Sequence, residues 1–397
     1  MSPDGPPRAW PKRELWVAAG LCLLWALLVR AGPLDLPYFW DEADVYVPGA
    51  KWLADNNLDI RPGVFHDDYS RGHPPLMYLA AGAAFAVFGP EPAVGHLLVL
   101  PLAALALLAT YLLGRALWGR AAGLAAALLL GLTPLYASIS AMLLPEVALT
   151  ALTALSLLFF VRGRFWALAL TGSLLVLIKE TGLFTPLAIA GALGLQALWQ
   201  RKLFTWQLWK RIGLILIPIP VLAAFFLWQK AGAGYFIFPH HQNLFWQREL
   251  AFANLLTVLP STLVWQGRWI LLAAAGLVVA LHRFGIFKIS KTYEVPGESR
   301  RLLMLAVGLL LLGNMLFFSQ MFWLHRYALP VHPGLLVLAC GLLLRPELKP
   351  RNRGRSAWRV LRWAPILATG LWSIAGLKAP TPADEAELNF NYAQVIA

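Results

Sequence analysis

Two adjacent carboxylates, Asp41 and Glu42, follow the first hydrophobic segment of the chain in the sequence FWDEAD. A carboxylate at the boundary between membrane and water can act as a general base, or can orient a hydroxyl group or a metal ion. The alternative is structural, with Asp41 or Asp44 as the N-cap of the amphipathic stretch at residues 45–56. The pair therefore predicts chemistry at a membrane surface, with helix capping as the competing interpretation.

A third acid and a lysine stand at other predicted helix ends. Glu146 follows a proline in MLLPEVAL, and Lys179 precedes Glu180 in LIKETGLF. Glu146 would form a two-acid site with Asp41, or it would stabilise the dipole of a first helical turn. Lys179 would contact a phosphate near the lipid headgroups or order the cluster of acids, or it would extend its amine to the interface beside Glu180.

Two further motifs contain groups that suit an anion. Arg326 and Tyr327 lie in FWLHRYALP, and a guanidinium there could bind phosphate oxygens bidentately or anchor the chain to headgroups. Arg71 and His73 lie at the start of HPPL, where the two prolines make the chain rigid. These four side chains are therefore candidates for binding a phosphate, and a headgroup anchor at Arg326 and a rigid chain entry at His73 are the structural alternatives.

Adjacent histidines, His240 and His241, occur in FIFPHHQN. Neighbouring residues do not readily ligate one metal ion together, and the sequence has no HxH, HExxH or DxD pattern. We predict no metal site from this chain, and a divalent cation as cofactor stays open. The role of the two histidines is also open at this stage.

The elements that position these residues are membrane helices. Of the 397 residues, 59% are hydrophobic and only 13% are charged, which is typical of a multi-span all-α membrane protein and excludes a soluble class. The net charge of +13 would suggest nucleic-acid binding in a soluble protein. Here the basic residues collect at the ends of hydrophobic segments, so we predict no nucleic-acid partner.

Hydropathy predicts eleven transmembrane helices, each long enough for a hydrocarbon layer of about 30 Å. The predicted spans are 14–31, 93–115, 120–138, 147–162, 165–179, 182–199, 211–229, 267–283, 302–320, 327–344 and 363–378. Residues 74–88 are apolar but short and begin with two prolines, so we interpret them as interfacial or re-entrant.

The charge distribution supports this topology. With the N-terminus in the cytoplasm, 23 of the 33 Lys and Arg residues lie inside and 15 of the 20 acids lie outside. The outer face then has loops at 32–92 and 231–266 and the tail from Ala379. We divide the single membrane domain, residues 1–397, into a catalytic module at 13–200 and a variable helical module at 201–397.

Five of these motifs, in the same order and on the same face, resemble those of the GT-C membrane glycosyltransferases. They are the acid pair at Asp41, the HPPL segment, the acid Glu146, the LIKETGL segment and HRYALP. The resemblance covers residues 13–200 and 300–345. It is strongest to the bacterial branch similar to protein O-mannosyltransferases and aminoarabinose transferases (families 39 and 83).

The resemblance implies an activity and a fold. The donor would be a polyprenyl-phosphate sugar, and the acceptor would be a lipid, glycan or protein on the periplasmic or extracellular side of a bacterial plasma membrane. Asp41 matches the catalytic carboxylate, with Glu42 as its neighbour and Glu146 as the second acid. The fold would be GT-C, with interfacial helices in the first outer loop.

His73 departs from that pattern, because similar proteins often carry a phosphate-binding lysine at this position, in GKPPL. Because of this departure, the phosphate-binding role that the resemblance implies is assigned to Arg326, Lys179 and Arg71, with Tyr327 beside them. Two rival functions remain, a flippase or other transporter of lipid-linked sugars and a non-catalytic protein that binds polyprenyl lipid. Transporters usually bury ionisable groups in the middle of spans, whereas the acids here lie at span ends.

The topology is testable by cysteine accessibility. Single cysteines at Ser356 and Thr381 should react from the cytoplasmic and the outer side respectively, in a background without Cys22 and Cys340. A membrane-impermeant maleimide applied to intact cells should label only the second variant. Labelling of both positions from one side would contradict an eleven-span topology.

Overall fold

The computed structural model describes residues 11–30, 33–140, 142–244, 251–284, 287–289, 297–320, 324–345, 348–350, 358 and 360–378. The predicted cytoplasmic N-terminus at residues 1–10 and the predicted outer tail from Ala379 lie outside the described residues, as do Ser356 and Thr381.

The described chain is almost entirely helical. The α-helices are α1 (Lys12–Arg30), α2 (Val47–Asp55), α3 (Asp67–Ser70), α4 (Leu76–Phe88), α5 (Pro92–Trp118), α6 (Arg120–Leu132), α7 (Pro134–Ile139), α8 (Pro145–Val161), α9 (Phe165–Ile178), α10 (Phe184–Trp199), α11 (Trp206–Ile215), α12 (Pro218–Ala233), α13 (Pro239–Leu244), α14 (Ala251–Leu263), α15 (Arg268–Arg283), α16 (Gly297–Phe318), α17 (His332–Leu344) and α18 (Ala364–Lys378).

Short helices of other types connect them. A π-helix at Glu42–Tyr46 leads into α2, and 3₁₀ segments lie at Pro33–Asp35, Glu180–Leu183 and His325–Val331. The segments Glu180–Leu183 and His325–Val331 continue directly into α10 and α17. Lys179 comes just before the first of them, and Arg326 lies in the second.

Each of the eleven predicted spans coincides with helix in the described residues, and the all-α polytopic class is confirmed. By length and hydropathy, five described helical segments can cross a membrane: Pro92–Trp118, Glu180–Trp199, Trp206–Ala233, Glu298–Phe318 and His325–Leu344. A sixth forms if Leu255–Leu263 and Arg268–Arg283, which bend by 76° between them, count as one span. The number eleven stays a prediction.

Two features differ from the expected loops. The predicted outer loop 231–266 contains α13 and α14. Elsewhere, two three-residue strands, β1 (Phe287–Ile289) and β2 (Leu348–Pro350), pair antiparallel. The bend after α14 has a clear cause, because the buried Arg268 donates hydrogen bonds to the carbonyls of Ser261 and Thr262. Those carbonyls are left without helical partners when α14 ends.

Helix α4 covers the segment that we expected to be interfacial. Its 13 residues rise only about 20 Å, which is less than the hydrocarbon thickness. It packs closely on α2, since a Cβ on Gly82 would lie 2.9 Å from Cβ of Leu53. The rings of Tyr46 and Tyr78 stack at 5.2 Å and bring the π-helix into the same contact.

The core is built around α5. Small residues let its neighbours approach closely: a Cβ on Gly114 would lie 2.7 Å from Cα of Gly123 in α6. Val99, Ala103 and Ala106 on α5 are fully buried. Helix α8 packs against α5 and α9, so its first turn and the end of α9 lie at the same end of the bundle.

Candidate active site

Four charged side chains from four separate segments form one chain of contacts. Asp41 makes an ion pair with Nη2 of Arg326. Nε of Arg326 lies 3.7 Å from Oε1 of Glu146, and the same oxygen accepts a 3.2 Å hydrogen bond from Nζ of Lys179. The structure therefore brings together the candidate base, the second acid and two of the candidate phosphate-binding cations.

Burial separates Asp41 from the other three members of this ion-pair network. The side chains of Arg326 and Glu146 are 4% and 2% exposed, whereas that of Asp41 is 29% exposed. Arg326 and Lys179 are thus held inside the protein by acids. Asp41 has the most exposed side chain of the four.

Aromatic rings support the cations. The guanidinium of Arg326 lies 4.7 Å from the ring centre of Trp40, and Nζ of Lys179 lies 4.6 Å from that of Tyr327. Such cation–π contacts stabilise a partly desolvated cation and restrict its position. Tyr327 also lies 5.6 Å from Arg326, so it borders both cations.

The backbone before Asp41 has an unusual conformation. Trp40 has a φ of +48°, which is uncommon for a residue with a Cβ, and the π-helix begins two residues later. Strained backbone and π-helical turns both concentrate at functional sites. Asp41 occupies the N-cap position of the π-helix, but its side chain makes no capping hydrogen bond. The carboxylate is directed to Arg326 instead.

Glu42 points away from Asp41 into the protein. Its Oε1 accepts a 2.6 Å hydrogen bond from the backbone N–H of Leu143, and Oε2 lies 3.3 Å from the N–H of Phe39. Nε2 of His96 lies 3.2 Å from the same Oε1, and both side chains are fully buried. Nδ1 of His96 is 2.9 Å from the carbonyl of Leu34.

One end of the imidazole is a hydrogen-bond donor, because the carbonyl of Leu34 can only accept and Nδ1 of His96 therefore carries a hydrogen. The other end, Nε2, contacts the carboxylate of Glu42. The pair fastens the Asp41 segment to the backbone three residues before Glu146. Glu42 therefore positions the two candidate acids relative to each other.

His96 was not among the residues predicted from sequence. A single histidine in an apolar helix carries no pattern that would connect it to an acid 54 positions earlier. The one signal available is its type, because an ionisable side chain in an apolar segment is costly unless it is paired.

Two predicted anion-binding residues lie in a neighbouring group. Nδ1 of His73 is 3.1 Å from both carboxylate oxygens of Glu180, and its ring lies 5.0 Å from that of His241. Arg71 adopts a left-handed conformation with φ of +49°, and its buried Nε has no hydrogen-bond partner in the described part of the chain. The structure thus joins His73 to an acid and leaves Arg71 open to an anion.

The first predicted outer loop meets the last turn of α12 beside this group. A Cβ on Gly63 would lie 2.5 Å from the carbonyl oxygen of Gly232, so the backbones touch where neither residue has a side chain. Gly63 also has a φ of +85°, which favours glycine. Nearby, the hydroxyl of Tyr235 donates a hydrogen bond to Asp67.

A small cavity adjoins the buried end of the ion-pair network. It measures about 20 Å³ and is lined by Glu146, Lys179 and Tyr327 together with apolar side chains such as Phe318. This volume holds about one water molecule. Oε2 of Glu146 is buried and has no hydrogen-bond partner among the described residues, so it can accept one from a ligand.

Within the described residues, no group of three or more His, Cys, Asp or Glu side chains is arranged to hold a metal ion. His240 is exposed and His241 is partly buried.

The fold has known counterparts among solved structures. No protein-family profile and no curated protein sequence matches the chain. The structure is similar to that of ArnT from Cupriavidus metallidurans bound to undecaprenyl phosphate, with a TM-score of 0.62, 19% identity, and coverage of 96% of this chain and 69% of ArnT. The apo state of ArnT gives a TM-score of 0.61 at the same identity and coverage.

A third similar structure is the arabinofuranosyltransferase AftD from Mycobacteria. It gives a TM-score of 0.52 at 17% identity, and the match covers 94% of this chain and 27% of AftD. These likenesses confirm the predicted GT-C fold.

We expect His241 to make the contact between the His73 segment and residues 235–244 sensitive to pH. Burial is the main reason that the pKa of His241 is lowered to about 4. The nearby His73 also lowers this pKa, and His240 has a smaller effect in the same direction. A histidine whose pKa is depressed in the docked state does not oppose docking when the pH is above its ordinary pKa of about 6.5. As the pH falls from there towards 4, the docked state loses stability. We expect residues 235–244 to exchange amide hydrogens faster at pH 5 than at pH 7.5, after correction for intrinsic rates.

Hydrogen exchange with mass spectrometry measures this effect. His241→Gln should remove the pH dependence, whereas the exposed neighbour variant His240→Gln should retain it. Equal pH dependence in the His241→Gln protein would show that another group controls the docking.

Proposed function

We propose that the protein is a glycosyltransferase that moves a sugar from a polyprenyl-phosphate donor to an acceptor on the outer face of the membrane. The observation that carries the proposal is the ion-pair network of Asp41, Arg326, Glu146 and Lys179. A partly exposed carboxylate and two buried cations next to each other are the groups that such a transfer needs. The GT-C fold and the undecaprenyl phosphate bound by ArnT support the choice of donor.

The reaction would be a single displacement with inversion at the anomeric carbon. The acceptor oxygen forms a bond to that carbon while the bond to the phosphate oxygen breaks. Asp41 takes the proton of the acceptor hydroxyl, and polyprenyl phosphate leaves with the electron pair. Cations at the phosphate stabilise the negative charge that develops on it.

Arg326 links donor binding to the freeing of the base. Without the donor, Asp41 and Glu146 neutralise Arg326 and Lys179, so the two acids occupy the positions of a phosphate. A donor phosphate that binds Arg326 competes with Asp41 for the guanidinium. The carboxylate is then released to accept a proton when, and only when, the donor is in place.

The other predicted residues have supporting roles. Arg71, which has no acidic partner among the described side chains, supplies a further positive charge for the phosphate. Oε2 of Glu146 accepts a hydrogen bond from a hydroxyl of the sugar. The cavity of about 20 Å³ is too small for a sugar, so the network opens when the donor enters.

The lipid chain of the donor would leave the site along apolar side chains of α10 and α16. Leu310, Phe184 and Phe318 line the cavity on that side. The site would then lie at the outer end of the bundle in a bacterial plasma membrane, which agrees with the charge distribution of the loops. The acceptor would approach from the solvent at Asp41.

Replacing the base separates an enzyme from a protein that only binds lipid. Asp41→Asn keeps nearly the same volume, and removal of a positioned base typically lowers the rate by about 10²–10⁴. The matched control is Asp44→Asn, which changes an exposed acid in the same π-helix. Transfer of radiolabelled sugar from a polyprenyl-phosphate donor to envelope acceptors measures both variants.

The expected result is loss of transfer in Asp41→Asn and a near-normal rate in Asp44→Asn. If purified Asp41→Asn protein transfers sugar at the rate of the unmodified protein, Asp41 is not the base. If neither variant nor the unmodified protein transfers sugar but all bind the donor, the protein is a polyprenyl-lipid-binding protein.

Arg326 is expected to determine donor affinity. Arg326→Lys keeps the buried positive charge but loses the planar fork, so at least one charge-assisted hydrogen bond to the phosphate is lost. Such a bond contributes about 1.5–3 kcal/mol, which corresponds to a roughly 10- to 100-fold weaker donor Kd. Titration calorimetry with a short-chain polyprenyl-phosphate sugar measures the change.

A second buried arginine provides the control. Arg268→Lys should lower the Tm, because Arg268 binds the carbonyls at the end of α14, but it should leave donor affinity unchanged. An equal fall in affinity for both variants would indicate a general loss of structure. Unchanged affinity in folded Arg326→Lys would contradict the role of the guanidinium.

A further inference from the structure

A basic groove lies between the turn that joins α8 to α9 and the amphipathic helix α11. Its volume is about 520 Å³, far larger than that of the cavity at the ion-pair network. The main side chains that line it are Arg164, Phe165, Trp166, Gln207, Lys210 and Arg211.

The groove is distant from the candidate active site. Glu146 and Lys179 lie at one end of α8 and α9, and Arg164 lies at the turn between the other two ends. Helix α8 has 17 residues and therefore rises about 26 Å along its length. The groove thus lies near the opposite membrane boundary and does not depend on the proposed transfer reaction.

Three cations gather in the groove without an acid to balance them. In the described part of the chain, Arg164, Lys210 and Arg211 make no ion pair with Asp or Glu. The guanidinium of Arg211 lies 5.3 Å from the ring centre of Phe165, which restricts its position. Like charges at one site repel each other, and a bound anion relieves that repulsion.

The surroundings of the groove are those of a headgroup layer. Trp166 and Trp206 are 72% and 80% exposed, and indole rings prefer the interface between membrane and water. Helix α11 buries Leu208 and Ile215 on one face and exposes its basic and aromatic residues on the other. Helix α11 begins the candidate span Trp206–Ala233, so its basic and aromatic residues lie at a span end, where such residues collect.

We infer that this groove binds the phosphate of an anionic phospholipid of the leaflet opposite the candidate active site. Arg164, Lys210 and Arg211 hold the phosphate, and Gln207 donates a hydrogen bond to it or to the headgroup hydroxyls. The apolar lining, with Leu214 and Trp166, takes the start of the acyl chains. A soluble phosphate has no acyl chains to make these apolar contacts, so the ligand is a lipid.

Native mass spectrometry of the full chain, released from detergent with phosphatidylglycerol or phosphatidylcholine, tests the inference. Each basic residue near an anionic surface contributes about fivefold in affinity. The double variant Arg164→Gln, Lys210→Gln should therefore bind the first high-affinity phosphatidylglycerol more than about tenfold less tightly. Binding of phosphatidylcholine should be unchanged.

The chain offers a matched control. Arg201→Gln, Lys202→Gln removes the same charge from exposed positions at the loop just before α11 that do not line the groove. This control should bind phosphatidylglycerol nearly as the unmodified protein does. An equal loss in both double variants would show that only general surface charge attracts the lipid, and would overturn the groove as a site.

A third variant tests the groove without removing any cation. Gln207→Glu places a negative charge among them, so it should also weaken phosphatidylglycerol binding while the Tm does not fall. Normal phosphatidylglycerol binding by folded Gln207→Glu would overturn the inference. So would displacement of the lipid by millimolar glycerol phosphate, because it would show that the apolar contacts contribute nothing.

Discussion

The ion pair between Asp41 and Arg326 joins residues 285 positions apart, and the organisation of the candidate-site end of the bundle depends on it. Arg326 and Glu146 are almost completely buried, and a buried charge that loses its partner destabilises a protein by several kcal/mol. The four charges therefore require each other. One arrangement holds the segment around Asp41, the first turn of α8, the end of α9 and the entry of α17, because no charge can be buried alone.

The chemistry of these residues could be predicted from sequence better than their partners could. Acids and cations are rare in so apolar a chain, and their positions at the ends of hydrophobic segments placed them on one face. Asp41, Glu146, Lys179 and Arg326 do meet. Glu42 resembles Asp41 in type and place, but successive side chains at a helix entry point in different directions, and only tertiary structure shows that Glu42 faces His96.

The fold could be predicted from hydropathy, and its irregular parts could not. The GT-C fold is confirmed, and each predicted span is helical. Helix α14 was not predicted, because its apolar stretch is short and contains Pro260. A proline there is typical of a loop entry as well as of a bent helix. The contact of Gly63 with Gly232 joins a loop to the last turn of α12 through backbone alone, so no side-chain pattern predicts it.

The π-helix after Asp41 has a consequence for how this segment can change in evolution. A π-turn contains one residue more than an α-turn, and it arises when a single residue is inserted into an ordinary helix. Here the additional residue changes the direction, around the helix axis, of Asp41 relative to the face of α2 that packs on α4. Deleting one residue from 42–46 would restore a regular α-helix and rotate Asp41 by about 100° around the axis. The direction of the carboxylate is thus encoded in the length of this segment as much as in its residue types.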